Sequence, residues 1–317
     1  MAETRTRDPD TDKPVPIVVD CDNTLGLAHR EIDDGLALLT LLSSRSVSVC
    51  AVTTTFGNGT MEEVFGATCR LLARVGRRDI PVHRGAPGPG PHSTAAAREL
   101  VRLADLHGGR LIVLAIGSMT NLYAAATLDS GFFGKLHSVY VMGGYLGSLR
   151  FARREVAELN LSADPTAAFA VLNAPCPVTL MNAQLCLGAR FGVRHLPMII
   201  LLPGWLRKAV FDWFVSFSRA VGRLGFYLWD LVPTAAILDP CRFPENHVRC
   251  VSTVEQLSRG ELHTHRERPI GQAGNAAGRS ATGEHEPGVI NMPARIRRSL
   301  RFAADLMKTW RHGARGR

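Results

Sequence analysis

The feature that most constrains this chain is an alternation. Between residues 17 and 182, apolar runs of strand length (IVVD, VSVCAVTTTF, LIVLAIG, HSVYVMGG and CPVTLMN) take turns with stretches of helical period. The intervening stretches are DDGLALL, TMEEVFGATCRLLARVG, AAARELVRLADLHGG, TNLYAAATL and ADPTAAFAVLNA. Runs apolar throughout suit strands buried on both faces, and a helix after each strand suits parallel crossovers. The expected fold is α/β: a single doubly wound, mostly parallel sheet with helices on both faces. Local signals agree. Thr60 with Glu63 three residues later forms a capping-box pattern, Pro165 sits near a helix start, and two glycines stop the helix before Leu111. Thr120 reads as a further cap.

Residues 1–16 read as a disordered lead and residues 17–310 as one catalytic domain. Arg-rich residues 147–158 read as a loop, and residues 205–228 as an amphipathic, aromatic-rich segment belonging to the core or a subunit contact. VRCVSTVEQ and GELHTH suit an edge hairpin, whereas residues 257–289, rich in Gly and Ala, read as a mobile loop. A final helix is expected over PARIRRSLRFAADLMKTW, followed by a basic tail at residues 311–317.

Composition narrows the class. In 317 residues the hydrophobic content is 46% and the charged content 21%, ordinary for a globular enzyme. The net charge of +9 is scattered and lacks aromatic interleaving, so no nucleic-acid partner is expected. Seven cysteines without CxxC spacing read as reduced thiols. No stretch reads as a signal peptide or a membrane span, so the expectation is a cytoplasmic protein without a membrane partner. GxSxG, GxxxxGK[ST] and GxGxxG are lacking, which removes the serine-hydrolase, P-loop and dinucleotide readings. His263 and His265 read as a solvated pair, and His83, His92 and His107 as surface residues in turns.

In open α/β sheets ligands bind outside the carboxyl ends of the strands. Those ends carry Asp20 and Asp22, then Gly57 and Asn58, then the run from Ser118 to Asn121, then Met142. Asp33 and Asp34 head the first helix, Glu158 and Asn160 follow the fourth long strand run, and Trp229 and Asp230 open a late helix. Carboxylates and carboxamides without His or Cys select a hard cation, Ca²⁺ or Mg²⁺. The absence of Lys and Arg from the same turns favours Ca²⁺.

DCD with IDDGLALL, AVTTTFGN, AIGSMTNL, VYVMGG, ELNLSADPTAA and WDLVPTAAILDP, in that order, resemble the inosine-uridine-preferring nucleoside hydrolases. The resemblance covers roughly residues 16–243 and implies hydrolysis of ribonucleosides to base and ribose. It implies Ca²⁺ held by Asp22, Asp34, the Thr120 carbonyl and Asp230, with Asp20 in support. Asp22 would also be the general base on the attacking water. Asp33, Asn58, Met142, Glu158 and Asn160 would line the ribose, and the protein would form a homo-oligomer, a dimer or tetramer. Two departures stand out. NTLGLAHREI separates Asp22 from Asp33, and Trp229 stands where some members place a His that protonates the leaving base. Trp229 would then act on the base by stacking, which favours purine nucleosides.

Two other readings compete. VVDCDNTLG also resembles the haloacid-dehalogenase-like phosphatases, with Asp20 as nucleophile, Asp22 as acid/base and Mg²⁺; Thr120 and Lys135 would have to complete that set. A degenerate, non-catalytic nucleoside binder is the third.

Overall fold

The computed structural model describes residues 13–151, 154–155, 158–266 and 285–315. The chain runs β1 (Val15–Cys21), α1 (Asp33–Ser43), β2 (Val47–Thr54), α2 (Met61–Arg74), β3 (Val82–Arg84) and α3 (Ala95–His107). It continues through β4 (Ile112–Ala115), α4 (Thr120–Leu128), β5 (Ser138–Met142) and a ribbon of β6 (Arg150–Phe151) and β7 (Arg154–Glu155). Next come α5 (Asn160–Ala163), α6 (Pro165–Leu172), β8 (Val178–Met181), α7 (Ala183–Cys186) and β9 (Arg190–Phe191). Then follow α8 (Gly204–Val221), β10 (Phe226–Tyr227), α9 (Leu231–Leu238) and β11 (His247–Cys250). The last elements are α10 (Val254–Leu257), β12 (Thr264–Arg266), β13 (Val289–Asn291) and α11 (Ser299–Gly313).

Among the described residues nine strands form one sheet in the order β12-β11-β13-β8-β5-β4-β1-β2-β3. Every pairing from β3 to β13 is parallel, and only β11 runs antiparallel to its two neighbours. The sheet is mostly parallel and doubly wound, as the alternation predicts. Its order reverses beside β1, between β2 on one side and β4 on the other. That is the switch point at which such sheets open a crevice.

The two faces bury separate cores. Ile17 and Val19 of β1 join α1, α9 and α11 on one side, while Val18 joins α3, α4 and α6 on the other. A strand so covered has no wet face, which is why IVVD is apolar without a break. α11 lies against α1, and Gly313 makes the close approach possible: a Cβ there would stand 2.1 Å from the Leu39 carbonyl oxygen.

Several local expectations change. Thr120 does not cap α4; Met119 occupies the N-cap, and the Thr120 hydroxyl donates to Asp164 at 2.8 Å. The last helix begins at Ser299, after Arg298 in a left-handed conformation (φ 57°), rather than at Pro293. Its final turn takes in residues 311–313, and Ala314 is buried, so the expected basic tail starts later. Within residues 257–289 the sheet itself continues, as β12 against β11 and as β13; residues 267–284 of that expected loop lie outside the described residues. β13 is three residues long and follows a Gly/Ala-rich stretch, too short for periodicity to reveal. The expected loop at residues 147–158 contains the β6–β7 ribbon. His83 lies on β3, 3.8 Å from Glu99, and His107 ends α3, so neither is in a turn. Residues 1–12 of the expected lead are outside the described residues, and β1 already begins at Val15.

Because the Leu39 backbone cannot retreat from α11 without moving α1, Gly313→Ala should cost about 1–3 kcal/mol. Thermal unfolding measures this; an unchanged Tm would mean that the helices separate freely.

Candidate active site

The candidate site is built first by backbone. β1 delivers Asp20 and Asp22, and the turn of residues 23–32 returns the chain so that α1 opens on Asp33 and Asp34. α1 has no side-chain N-cap, so its acids sit at free N–H groups and the positive end of the helix dipole. The Asp22 N–H donates to Asp34 Oδ1 at 3.1 Å. Asp22 Oδ2 accepts the Asn58 N–H at 2.5 Å. The Asn58 carboxamide spans both acids, 3.4 Å from Asp22 Oδ1 and 3.4 Å from Asp34 Oδ2. Gly57 (φ 154°) permits this approach, since a Cβ there would stand 2.0 Å from Asp22 Oδ2.

Asp230, just before α9, completes the group: its N–H donates to Asp33 Oδ2 at 3.2 Å. One carboxylate oxygen from each of Asp33, Asp34 and Asp230 lies within 4.8 Å of the others. All three are buried, and Asp33 Oδ1 has no hydrogen-bond partner among the described residues. Charge is therefore concentrated without compensation. Burial pushes Asp22 up to about 7 and Asp33 to about 6, and carries Asp34 and Asp230 well above the carboxylate range. Buried acids with an orphaned oxygen and no cationic side chain beside them suit a hard divalent cation. The metal-binding set expected from the sequence thus comes together at Asp34 and Asp230. Asp33 joins them more closely than expected, and Asp22 stands adjacent through its N–H on Asp34. Thr120 is buried in the first turn of α4, at the end of β4.

Asp20 stands behind this group. It is fully buried, and its Oδ1 accepts Thr53 Oγ1 at 2.6 Å and Asn121 Nδ2 at 2.7 Å. Burial raises it to about 7 against those two hydrogen bonds.

In front lies a cavity of about 230 Å³. Asp33, Asn58, Met142, Glu158, Asn160, Trp229 and Asp230 all line it, and among the described residues no Lys, Arg or His does. Asn160 spends its amide group on the carbonyls of Met142 (3.0 Å) and Ile116 (3.2 Å), leaving its Oδ1 for a ligand. Glu158 is fixed by the N–H groups of Asn160, Leu161 and Ser162 at 2.8–2.9 Å. Sequence reasoning missed several lining residues, among them one acid and two aromatic side chains. Glu31 comes from the turn before α1, and Trp213 and Phe217 come from α8. Trp213 and Phe217 are four residues apart and so share a helix face; that spacing was the available signal. Part of the aromatic segment expected as core or subunit contact thus forms a cavity wall, while its Leu206, Val210, Phe214 and Phe226 join the core as expected. Its rings continue from Trp213 to Phe217 (5.6 Å), Tyr227 (6.0 Å) and Trp229 (5.1 Å).

The family model for inosine-uridine preferring nucleoside hydrolases matches residues 17–282. This chain belongs to that family. It is a hydrolase acting on N-glycosyl bonds, and the resemblance read from its motifs holds. A pyrimidine-specific ribonucleoside hydrolase of Shewanella sp. (strain MR-7) is 25% identical over 300 residues, 82% of this chain and 90% of the relative. A purine-preferring ribonucleoside hydrolase from Gardnerella vaginalis shares the fold with a TM-score of 0.78 at 18% identity, over 95% of this chain and 99% of that one. A plant nucleoside hydrolase, PpNRh1, does so with a TM-score of 0.77 at 18% identity, over 96% and 100%. Among the described residues, no helix of this hydrolase is long and apolar enough to cross a membrane.

The phosphatase reading fails on geometry. Neither Asp20 nor Asp22 lines the cavity itself, but Asp20 Oδ1 is taken up by Thr53 and Asn121 behind the acid group, so Asp20 is not placed as a nucleophile. Lys135 pairs with Asp105 and Asp129, away from the acids.

The raised acids set a pH dependence. Each binds its proton more tightly folded than unfolded, so its stabilising contribution is full below about pH 4 and lost as pH rises through about 6 to 7. Without metal, Tm should therefore fall across that window, and an added divalent cation should raise Tm most at its upper end. Differential scanning fluorimetry with and without EDTA tests this; a metal-free Tm that rises with pH contradicts it.

Proposed function

We propose that this protein is a Ca²⁺-dependent nucleoside N-ribohydrolase that releases free base and ribose. The observation that carries the reading is the convergence of buried, uncompensated acids at a cavity that Trp213, Phe217 and Trp229 also line. Asp22, Asp34, the Thr120 carbonyl and Asp230 would hold the cation, with Asp20 bracing β1's end from behind. A divalent cation held there would supply Lewis acidity towards a water and the sugar hydroxyls.

The remaining chemistry belongs to the chain's own groups. Asp22 takes the proton of the attacking water, and the Asn58 N–H at 2.5 Å fixes that carboxylate. Asp33 and Asn160 accept the ribose hydroxyls, while Asn58, Met142 and Glu158 enclose the sugar. The C1′–N bond breaks through an oxocarbenium-like state, which the surrounding negative field favours. Its electron pair leaves with the base, the water oxygen bonds C1′, and the base ends protonated.

The base lies against the aromatic wall. Trp229, Trp213 and Phe217 offer stacking area, and among the described residues no His lines the cavity to donate a proton. Stacking area grows with the ring system, so purine nucleosides are preferred; equal turnover of uridine and inosine would overturn that preference. The protein acts in the cytoplasm as a homo-oligomer, a dimer or tetramer, which light scattering checks.

The deciding experiment is reducing-sugar release from a panel of ribonucleosides, with and without EDTA. EDTA should abolish release, Ca²⁺ should restore it, and Asp22→Ala should lower kcat by about 10²–10⁴. Nucleoside binding without any ribose release would instead mark a non-catalytic binder.

A further inference from the structure

NTLGLAHREI, the segment that separates Asp22 from Asp33, is a firmly built piece of the structure. Thr24 Oγ1 donates to the Glu31 carbonyl at 2.7 Å, and the Leu27 N–H donates to the Thr24 carbonyl at 2.9 Å. Asn23 Nδ2 donates to Thr68 on α2 at 3.2 Å. Leu25 is buried, so close to α1 that a Cβ on Gly35 would stand 2.4 Å from its Cβ. Arg30 Nη1 donates to the Asn58 carbonyl at 2.8 Å. Between these anchors His29 takes a left-handed conformation (φ 58°). A residue with a Cβ adopts it at a cost, which its surroundings must offset. The left-handed turn brings the His29 side chain to α8: His29 Nδ1 and Ser216 Oγ share a hydrogen bond at 3.0 Å, and either group can donate.

The place of Ser216 on α8 gives that contact its meaning. α8 buries Leu206, Val210, Phe214 and Ser218, a stripe of residues four apart. At about 3.6 residues per turn, Phe217, Trp213 and Ser216 follow Phe214 around the helix axis in that order. Trp213 and Phe217, which line the cavity, are therefore bracketed by the core stripe on one side and the His29 hydrogen bond on the other. Core packing alone leaves the helix free to roll about its stripe, and such a roll would turn both rings. A tether on the far flank resists it. The tether starts two residues before Glu31, which lines the same cavity, so it joins two elements that border one site.

We propose that His29 is a positioning residue: its hydrogen bond to Ser216 holds α8 at the rotation that presents Trp213 and Phe217 to the base, so the inserted segment serves affinity for the base. The assignment rests on the nucleoside reading above. Stacking is made in the bound substrate and kept while the bond breaks, so its loss raises KM and leaves kcat in place. Ribose alone carries no base and is indifferent to the tether.

The test measures kcat and KM for inosine, and the inhibition constant of free ribose, on wild type, His29→Gly, Ser216→Ala, the double variant and His29→Asn. Glycine removes the side chain without straining the left-handed backbone. Asparagine tolerates that backbone and keeps a polar atom at the δ1 position. Each single deletion should raise KM by about 2–10-fold, the range for one hydrogen bond, with kcat and the ribose constant within about twofold of wild type. The double variant should be no worse than either single one, since both remove the same contact. His29→Asn should restore KM to within about twofold of wild type. An unchanged KM, additive losses, a failed rescue by Asn or an equal rise in the ribose constant would each overturn the assignment while leaving the hydrolase reading intact. No ribose release by wild type from any ribonucleoside would overturn the hydrolase reading, and the assignment with it.

Discussion

The structure turns on a repulsion. Asp22, Asp33, Asp34 and Asp230 are buried together, with Asp20 behind and Glu31 beside them, and burial raises all six carboxyls from their ordinary range. Such a group persists only where surrounding order over-determines it. Here the order comes from backbone amides: the N–H groups of Asp22, Asn58 and Asp230 each donate to one of the acids. Those amides are in turn held by a strand, a loop at a strand end and a helix start, all packed on the central sheet.

The sheet's order explains why the acids meet. β1 lies between β2 and β4, so the strand ends that lead to Asp22, Asn58 and Thr120 are neighbours in the sheet. α1 and α9 approach the same place from one face of the sheet, and contacts between them bring Asp33 to the Asp230 N–H across almost two hundred residues of chain. α8 then adds Trp213 and Phe217 to the lining of the same cavity.

Much of the fold was legible because its signals are local. Apolar runs without a polar face mark strands covered on both sides, and the Thr60–Glu63 capping box forms as its spacing predicts. The candidate site was legible to the degree that strand ends can be read: Asn58, Met142, Glu158, Asn160, Trp229 and Asp230 all line one cavity with Asp33. Glu31 was not, because it sits in a turn whose course depends on Asn23 reaching α2. Trp213 and Phe217 were not, because an amphipathic helix does not announce whether its aromatic face meets core, partner or ligand. β13 escaped because three residues carry no period.

By itself the sequence determined the layer architecture and the chemical character of the strand ends, since periodicity, capping and residue type are properties of neighbouring residues. It also determined that the site would be rich in oxygen ligands. Tertiary structure alone decided which acids stand within reach of one another, that Asp33 rather than Asp22 packs closest with Asp34 and Asp230, and that Asp20 is withdrawn from the cavity. Those outcomes depend on strand order and helix placement, which are set by contacts between residues far apart in the chain.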